Sequence, residues 1–195
     1  MTKILYLHGF LSSPLSTKVM QLRHGAGDAF EVIAPDLNMT PGEVDALLDN
    51  LVRDHQATSS ESLVVVGSSL GGFYAARLAT KFGLRCVLLN PCFNPWGFVK
   101  AHTGVQTIFG TDRTLDVRPT FVDDLQKLAE NVSPLDVNPQ RTLAVFGTAD
   151  EVLDWKAGAQ AYAACRQVVL PGEDHRISQF EALIPRLLDF ISEAD

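Results

Sequence analysis

The sequence predicts a single-domain α/β protein in which about six mostly parallel strands are covered by helices on both faces. Three observations carry that reading. Short β-rich runs alternate with helical patterns, the runs are continuous apolar stretches, and no Pro/Ser/Gly-rich linker divides the 195 residues. A strand buried on both faces needs no polar side, so continuous runs separated by helices point to a parallel sheet. With 46% hydrophobic residues the chain can bury a sizeable core.

The predicted strands are Lys3 to Leu7, Phe30 to Ala34, Leu63 to Val66, Leu84 to Leu89, Thr142 to Phe146 and Arg166 to Leu170. In Thr40-Pro41-Gly42-Glu43 a capping hydroxyl stands three residues before a carboxylate, which starts a helix running to about His55. Further helices are predicted over Leu70 to about Phe82, Asp154 to Ala164 and Ser178 to Ser192. The segment from Pro91 to Gln140, about fifty residues, is too long for a simple crossover. It is predicted to insert a helix plus a lid or substrate wall into the single domain 1–195, the alternative being a surface crossover whose aromatics pack onto the sheet. Within it, the composition of Gly104 to Asp116 suits a mobile stretch.

Composition removes several function classes. A formal net charge of -7 leaves no basic stripe to displace counterions from a phosphate backbone, so no nucleic-acid partner is expected. The apolar run at the amino terminus is too short for a signal-peptide core and no other run is long enough to cross a bilayer, so a soluble, cytoplasmic protein with no membrane partner is expected. Three cysteines, Cys86, Cys92 and Cys165, are an odd number and suit reduced thiols. Gly72 is followed by Phe73-Tyr74 rather than by the Lys of a phosphate loop, and His8-Gly9-Phe10-Leu11 after the first strand is no dinucleotide fingerprint. No paired Cys or His spacing suggests zinc. The expectation is catalysis with no cofactor and no metal; oligomeric state has no signature in the sequence.

The most informative stretch is Leu63 to Phe73, where an apolar run breaks into Gly67-Ser68-Ser69-Leu70-Gly71 and then into helix-forming residues. Such a strand-to-helix elbow holds its central serine in a strained conformation and crowds the positions two before and two after. Gly67 and Gly71 meet that demand for Ser69, whereas centring the turn on Ser68 places Val66 and Leu70 there. In an open parallel sheet the ligand sits beyond the carboxyl ends of the strands. Ser69, Asp150 and His175 all follow strands, in the chain order Ser, Asp, His. A serine hydroxyl needs an imidazole to take its proton, and the imidazole needs a carboxylate to fix its tautomer. Glu151 and Asp154 compete with Asp150 for the acid role, Asp154 also being placed to cap a helix. The expected oxyanion donors are the backbone amides of Phe10 and Leu70. His8, Ser12 and Ser13 are candidate substrate contacts; the alternatives are that His8 anchors its loop and that Ser12-Ser13-Pro14 or Ser16 starts a helix. Cys92 also follows a strand but lacks the elbow. Glu173 and Asp174, flanking His175, are expected to favour its cation.

These motifs resemble the YqiA-type esterases of the α/β-hydrolase superfamily along nearly the whole chain. The resemblance runs through Tyr6-Leu7-His8-Gly9-Phe10 with Ser12-Ser13-Pro14, Val66 to Gly72, Leu89-Asn90-Pro91, Gly147 to Asp154, Cys165-Arg166-Gln167 and His175 with Phe180-Glu181. It implies a trimmed α/β-hydrolase sandwich, a Ser69, Asp150, His175 triad, and a small-molecule ester of short acyl chain as substrate. Glu173-Asp174 before His175, Arg176 after it, and the middle segment depart from the family pattern. The same triad also suits a thioester or a carbon-carbon bond, and the reading from another class is a ligand-binding protein without turnover.

Overall fold

A computed structural model describes residues 2–58 and 62–193. Strands β1 (Thr2–Leu7), β2 (Phe30–Ile33), β3 (Leu63–Ser68), β4 (Arg85–Leu89), β7 (Thr142–Gly147) and β8 (Arg166–Leu170) form one sheet in the order β2-β1-β3-β4-β7-β8. Every neighbouring pair in it is parallel. Strand order reverses at β1, whose neighbours are β2 and β3, so the loops leaving β1 and β3 open into one crevice.

Alternation along the strands divides the core in two. Ile4, Tyr6, Val64, Val66, Val87 and Leu89 point to one face, where α1 (Thr17–Ala26) and α7 (Phe180–Ser192) cover them. Leu5, Leu7, Val65, Cys86 and Leu88 point to the other, under α2 (Pro41–Thr58), α3 (Leu70–Phe82) and α6 (Trp155–Ala161). Because both faces are covered, the strands carry apolar residues at successive positions, which is the pattern read from the sequence.

The predicted helix at Thr40 starts as expected: Glu43 accepts from the Thr40 amide at 2.9 Å, and the Thr40 hydroxyl accepts from the Glu43 amide at 3.4 Å. Helix α6 is shorter than predicted, ending at Ala161. The helix start near Ser16 forms, with α1 beginning at Thr17.

The segment between β4 and β7 holds α4 (Trp96–Ala101), an antiparallel hairpin of β5 (Gly104–Thr107) and β6 (Thr114–Val117), and α5 (Thr120–Asn131). Gly104 to Asp116 lies within a paired hairpin with Ile108 buried at its turn. The hairpin escaped the sequence reading because it pairs only with itself and its strands are largely exposed, which leaves no apolar run to detect. Buried Arg77 of α3 fastens this segment, donating from Nε to the carbonyls of Leu128 at 2.8 Å and Val132 at 3.2 Å while its guanidinium pairs with Asp45 of α2. Among the described residues no helix is long and apolar enough to cross a membrane.

Candidate active site

Ser69 sits between β3 and α3 with φ 54° and ψ -120°, a backbone region that L-residues seldom occupy. Glycine is required on both sides of it: a Cβ on Gly67 would lie 2.2 Å from the Gly71 carbonyl oxygen, and one on Gly71 would lie 2.1 Å from that of Leu7. The backbone of Ser69 is held from outside, its amide donating to Leu89 at 3.0 Å and its carbonyl accepting from the amides of Gly72 at 2.9 Å and Cys92 at 3.0 Å.

Three side chains from loops that follow separate strands form one hydrogen-bonded line. His175 Nδ1 lies 2.8 Å from Asp150 Oδ2, and His175 Nε2 lies 3.0 Å from Ser69 Oγ. With the carboxylate accepting from Nδ1–H, Nε2 is left as the acceptor for the serine hydroxyl proton. The Asp150 side chain is 1% exposed and that of His175 is 16% exposed, so the line is screened from bulk water at its acid end and open at its working end. Burial raises the Asp150 pKa, but hydrogen bonds from His175 and from the amides of Leu153 and Val152 outweigh it and hold the carboxyl below its usual value of 3.8. Those two amides donate to Asp150 Oδ1, each at 2.8 Å.

Its rivals on the same loop do other work. Glu151 accepts from the backbone amide of His175 at 3.0 Å, and Asp154 caps α6 by accepting from Lys156 and Ala157. Glu173 accepts from the Gln179 amide at 3.1 Å, and Asp174 from the amide and hydroxyl of Ser178. Cys92 is buried, and burial pushes its thiol up to about 12, so it is protonated at neutral pH and a poor nucleophile.

The loop after β1 presses on Ser69. A Cβ on Gly9 would lie 3.3 Å from Ser69 Cβ and 3.9 Å from its Oγ, so a side chain here would be tight against Ser69. The Phe10 ring packs edge-on to Phe98 of α4, with centroids 5.6 Å apart, and the Leu11 carbonyl, at a residue with φ 57°, accepts from the Phe109 amide of the hairpin at 2.8 Å. Phe10 and Leu70 both line a small apolar cavity of about 20 Å³, together with Tyr74, Val99, Phe121 and Leu125. His8 lines it too, with its polar atoms already engaged: Nδ1 donates to the Gly9 carbonyl at 2.9 Å and Nε2 accepts from the Leu37 amide at 3.0 Å. Burial lowers the His8 pKa against the opposing effects of Gly9 and Asp36, which matches this neutral tautomer. Ser12 and Ser13 form a turn instead of lining the cavity, Ser12 donating its amide to Gly9 at 3.1 Å and Ser13 Oγ accepting from Leu15 at 3.3 Å.

Four non-glycine residues among those described have positive φ: Leu11, Ser69, Asn90 and Ile177. Leu11, Ser69 and Asn90 follow β1, β3 and β4, and Ile177 stands two residues after His175, so backbone strain gathers around the site. Asn90 escaped sequence reasoning as a site residue because its partners are distant in the chain; the only signal was its place in Leu89-Asn90-Pro91.

Residues 3–192 match the family described as "Uncharacterised protein family (UPF0227)". The chain is 26% identical over 186 residues to a UPF0227 protein of Serratia proteamaculans, covering 94% of each. It is 24% identical over 190 residues to the UPF0227 protein YcfP of Salmonella paratyphi A, covering 96% of this chain and 97% of the relative. Among solved structures it is similar to Est1E of Butyrivibrio proteoclasticus with ferulic acid bound, at TM-score 0.73, 14% identity and coverage of 99% and 90% of the two chains. A putative hydrolase of the α/β superfamily from Xanthomonas campestris matches at TM-score 0.59 and 22% identity over 96% of this chain and 98% of its own. At these identities the structural likeness speaks for fold, whereas the full-length sequence match speaks for descent: the chain belongs to the UPF0227 family and has the α/β-hydrolase fold.

Proposed function

We propose that this protein is a serine esterase that cleaves short acyl esters of small molecules through an acyl-enzyme, with Ser69 as nucleophile, His175 as base and Asp150 as the acid that orients it. The observation that carries this reading is the unbroken line from Asp150 through His175 to Ser69 on a strained elbow, at 2.8 and 3.0 Å. A binding protein without turnover has no use for it.

In the first half-reaction Ser69 Oγ attacks the ester carbonyl carbon as His175 Nε2 takes the hydroxyl proton. The carbonyl π pair moves to oxygen, which the Phe10 and Leu70 amides receive; neither amide has a hydrogen-bond acceptor among the described residues. Collapse expels the alcohol, which leaves with the proton from His175. Water then attacks the acyl-enzyme with the same base, releasing the acid and restoring Ser69. Asp150 keeps its charge throughout and stabilises the imidazolium. The names of two structural neighbours agree with this chemistry: Est1E with ferulic acid bound, and LipS and LipT, described as lipolytic enzymes.

Exposure to a fluorophosphonate followed by peptide mass spectrometry tests the nucleophile, the expected result being a single adduct on Ser69. A folded protein that stays unlabelled sinks the reading in favour of ligand binding alone. A hydrolysis screen over acyl chain length, run on esters and on the matching thioesters with Ser69→Ala as control, then separates the two substrate classes.

A further inference from the structure

The Leu89-Asn90-Pro91 stretch takes no direct part in the chemistry above, yet its middle residue ties the strand leading to Asp150 to the turn bearing His175, and residues on either side of it hold Ser69. Asn90 is 2% exposed with φ 41°, a conformation that Asn tolerates better than most residues. Its backbone amide donates to Val145 at 2.9 Å, and its Oδ1 accepts from the Gly147 amide at 2.8 Å. Its Nδ2 donates to the carbonyls of Asp174 at 3.2 Å and His175 at 3.1 Å. The amide orientation follows from these partners, since only oxygen can accept from the Gly147 N–H and only nitrogen can donate to two carbonyls. On either side of Asn90, the Leu89 carbonyl and the Cys92 amide hold the amide and carbonyl of Ser69, each at 3.0 Å.

We propose that Asn90 is a positioning residue, a central clamp that sets the nucleophile, acid and base loops at working distance from one another. This role rests on the esterase reading. The placement is specific: Val145 and Gly147 are the last part of the strand that leads to Asp150, and the two carbonyls belong to the turn that carries the imidazole. Gly147 completes the clamp, because a Cβ there would lie 2.5 Å from the Glu173 carbonyl oxygen and force the base loop away from the acid loop. The side-chain partners stand 57, 84 and 85 residues away in sequence, so no local segment can supply this link. Asp150 orients the ring of His175, and Asn90 orients the backbone that bears it.

Asn90→Asp isolates the donor half. Aspartate tolerates the same φ and still accepts from Gly147, but its carboxylate faces two carbonyl oxygens to which it cannot donate. The expected result is a fall in kcat of about 10², the scale set by displacing a reacting group by about 1 Å, with KM changed less than about twofold. The rate of fluorophosphonate labelling at Ser69 falls in parallel, while active-site titration counts the same number of reactive sites per folded chain. A purely structural defect gives the opposite pattern, fewer competent sites that each react at the wild-type rate, and that result overturns the proposal. Asn90→Gly keeps the backbone conformation without either side-chain arm and is expected to be at least as slow as Asn90→Asp. If neither variant folds, hydrogen exchange in the wild type decides: a protected Asn90 side-chain amide supports the clamp, and exchange at the rate of an exposed amide overturns it. Wild-type protein labelled at Ser69 and matched in rate by Asn90→Asp ends the clamp alone, whereas wild type that takes no label ends the esterase reading with it.

Discussion

Replacing Asp150 by Asn changes one atom that faces His175 and separates catalysis from stability. Oδ1 keeps its place as acceptor for the Val152 and Leu153 amides at 2.8 Å, while the atom 2.8 Å from His175 Nδ1 becomes an N–H donor. Two donors then meet, and the ring escapes by carrying its proton on Nε2, where it faces Ser69 Oγ as a donor and ceases to be a base. The expected loss in kcat is about 10⁴, or roughly 5.4 kcal/mol of transition-state stabilisation. The stability loss is smaller, about 1.5–3 kcal/mol for one hydrogen bond to a charged group. Asp150→Ala is expected to be as inactive but less stable by a further 1–3 kcal/mol, roughly the cost of leaving the partly buried Leu153 amide without an acceptor. The exposed Val152 amide can turn to water. Because the Asp150 pKa is lowered on folding, its contribution is fully present above the ordinary value of 3.8 and is lost as pH falls through the folded-state value, so both variants have a shallower acid limb. Initial rates on p-nitrophenyl acetate and urea unfolding at neutral and acid pH measure all three quantities. An Asn variant within about tenfold of wild type, against the loss expected from a wrong tautomer, refutes the assignment of Asp150; equal stability of the Asn and Ala variants refutes the account of its amide partners.

Gly67→Ala is expected to abolish soluble expression or to destabilise the protein by at least about 1–3 kcal/mol, because the added methyl would meet the Gly71 carbonyl oxygen at 2.2 Å and the Ala75 Cβ at 2.6 Å. A variant with wild-type thermal stability shows that the elbow can shift to accommodate it. His8, whose pKa is lowered on folding from 6.5, contributes stability that is present above 6.5 and lost as pH falls toward the folded-state value. His8→Asn, which keeps a donor and an acceptor but does not titrate, is therefore expected to flatten the dependence of unfolding free energy on pH between about 7 and about 5. An unchanged slope in urea melts counts against the neutral tautomer bridging Gly9 and Leu37.

The parts of this molecule that could be read from the chain are those whose cause is local. The strands were legible because burial on both faces puts apolar residues at successive positions, as in Leu63 to Val66. Ser69 was legible because the elbow's steric demand falls on Gly67 and Gly71, two residues to either side. The choice among Asp150, Glu151 and Asp154 was not, since adjacent carboxylates on one loop differ only in where the loop turns them. The structure sends Asp150 to the ring of His175, Glu151 to its backbone amide and Asp154 to the start of α6. Composition did not reveal the hairpin at Gly104 to Asp116 because its pairing is carried by backbone groups, which composition does not record.

By itself, then, the sequence determined the sheet, the elbow and the chemical kinds of group at the ends of the strands, because each follows from short-range sterics or from the period of burial. Tertiary structure decided which carboxylate meets the imidazole, that Glu173 and Asp174 accept from Gln179 and Ser178, and that Asn90 joins segments up to 85 residues apart. Those outcomes depend on hydrogen bonds between loops brought together only when the sheet assembles, and no stretch of chain contains that information until it does.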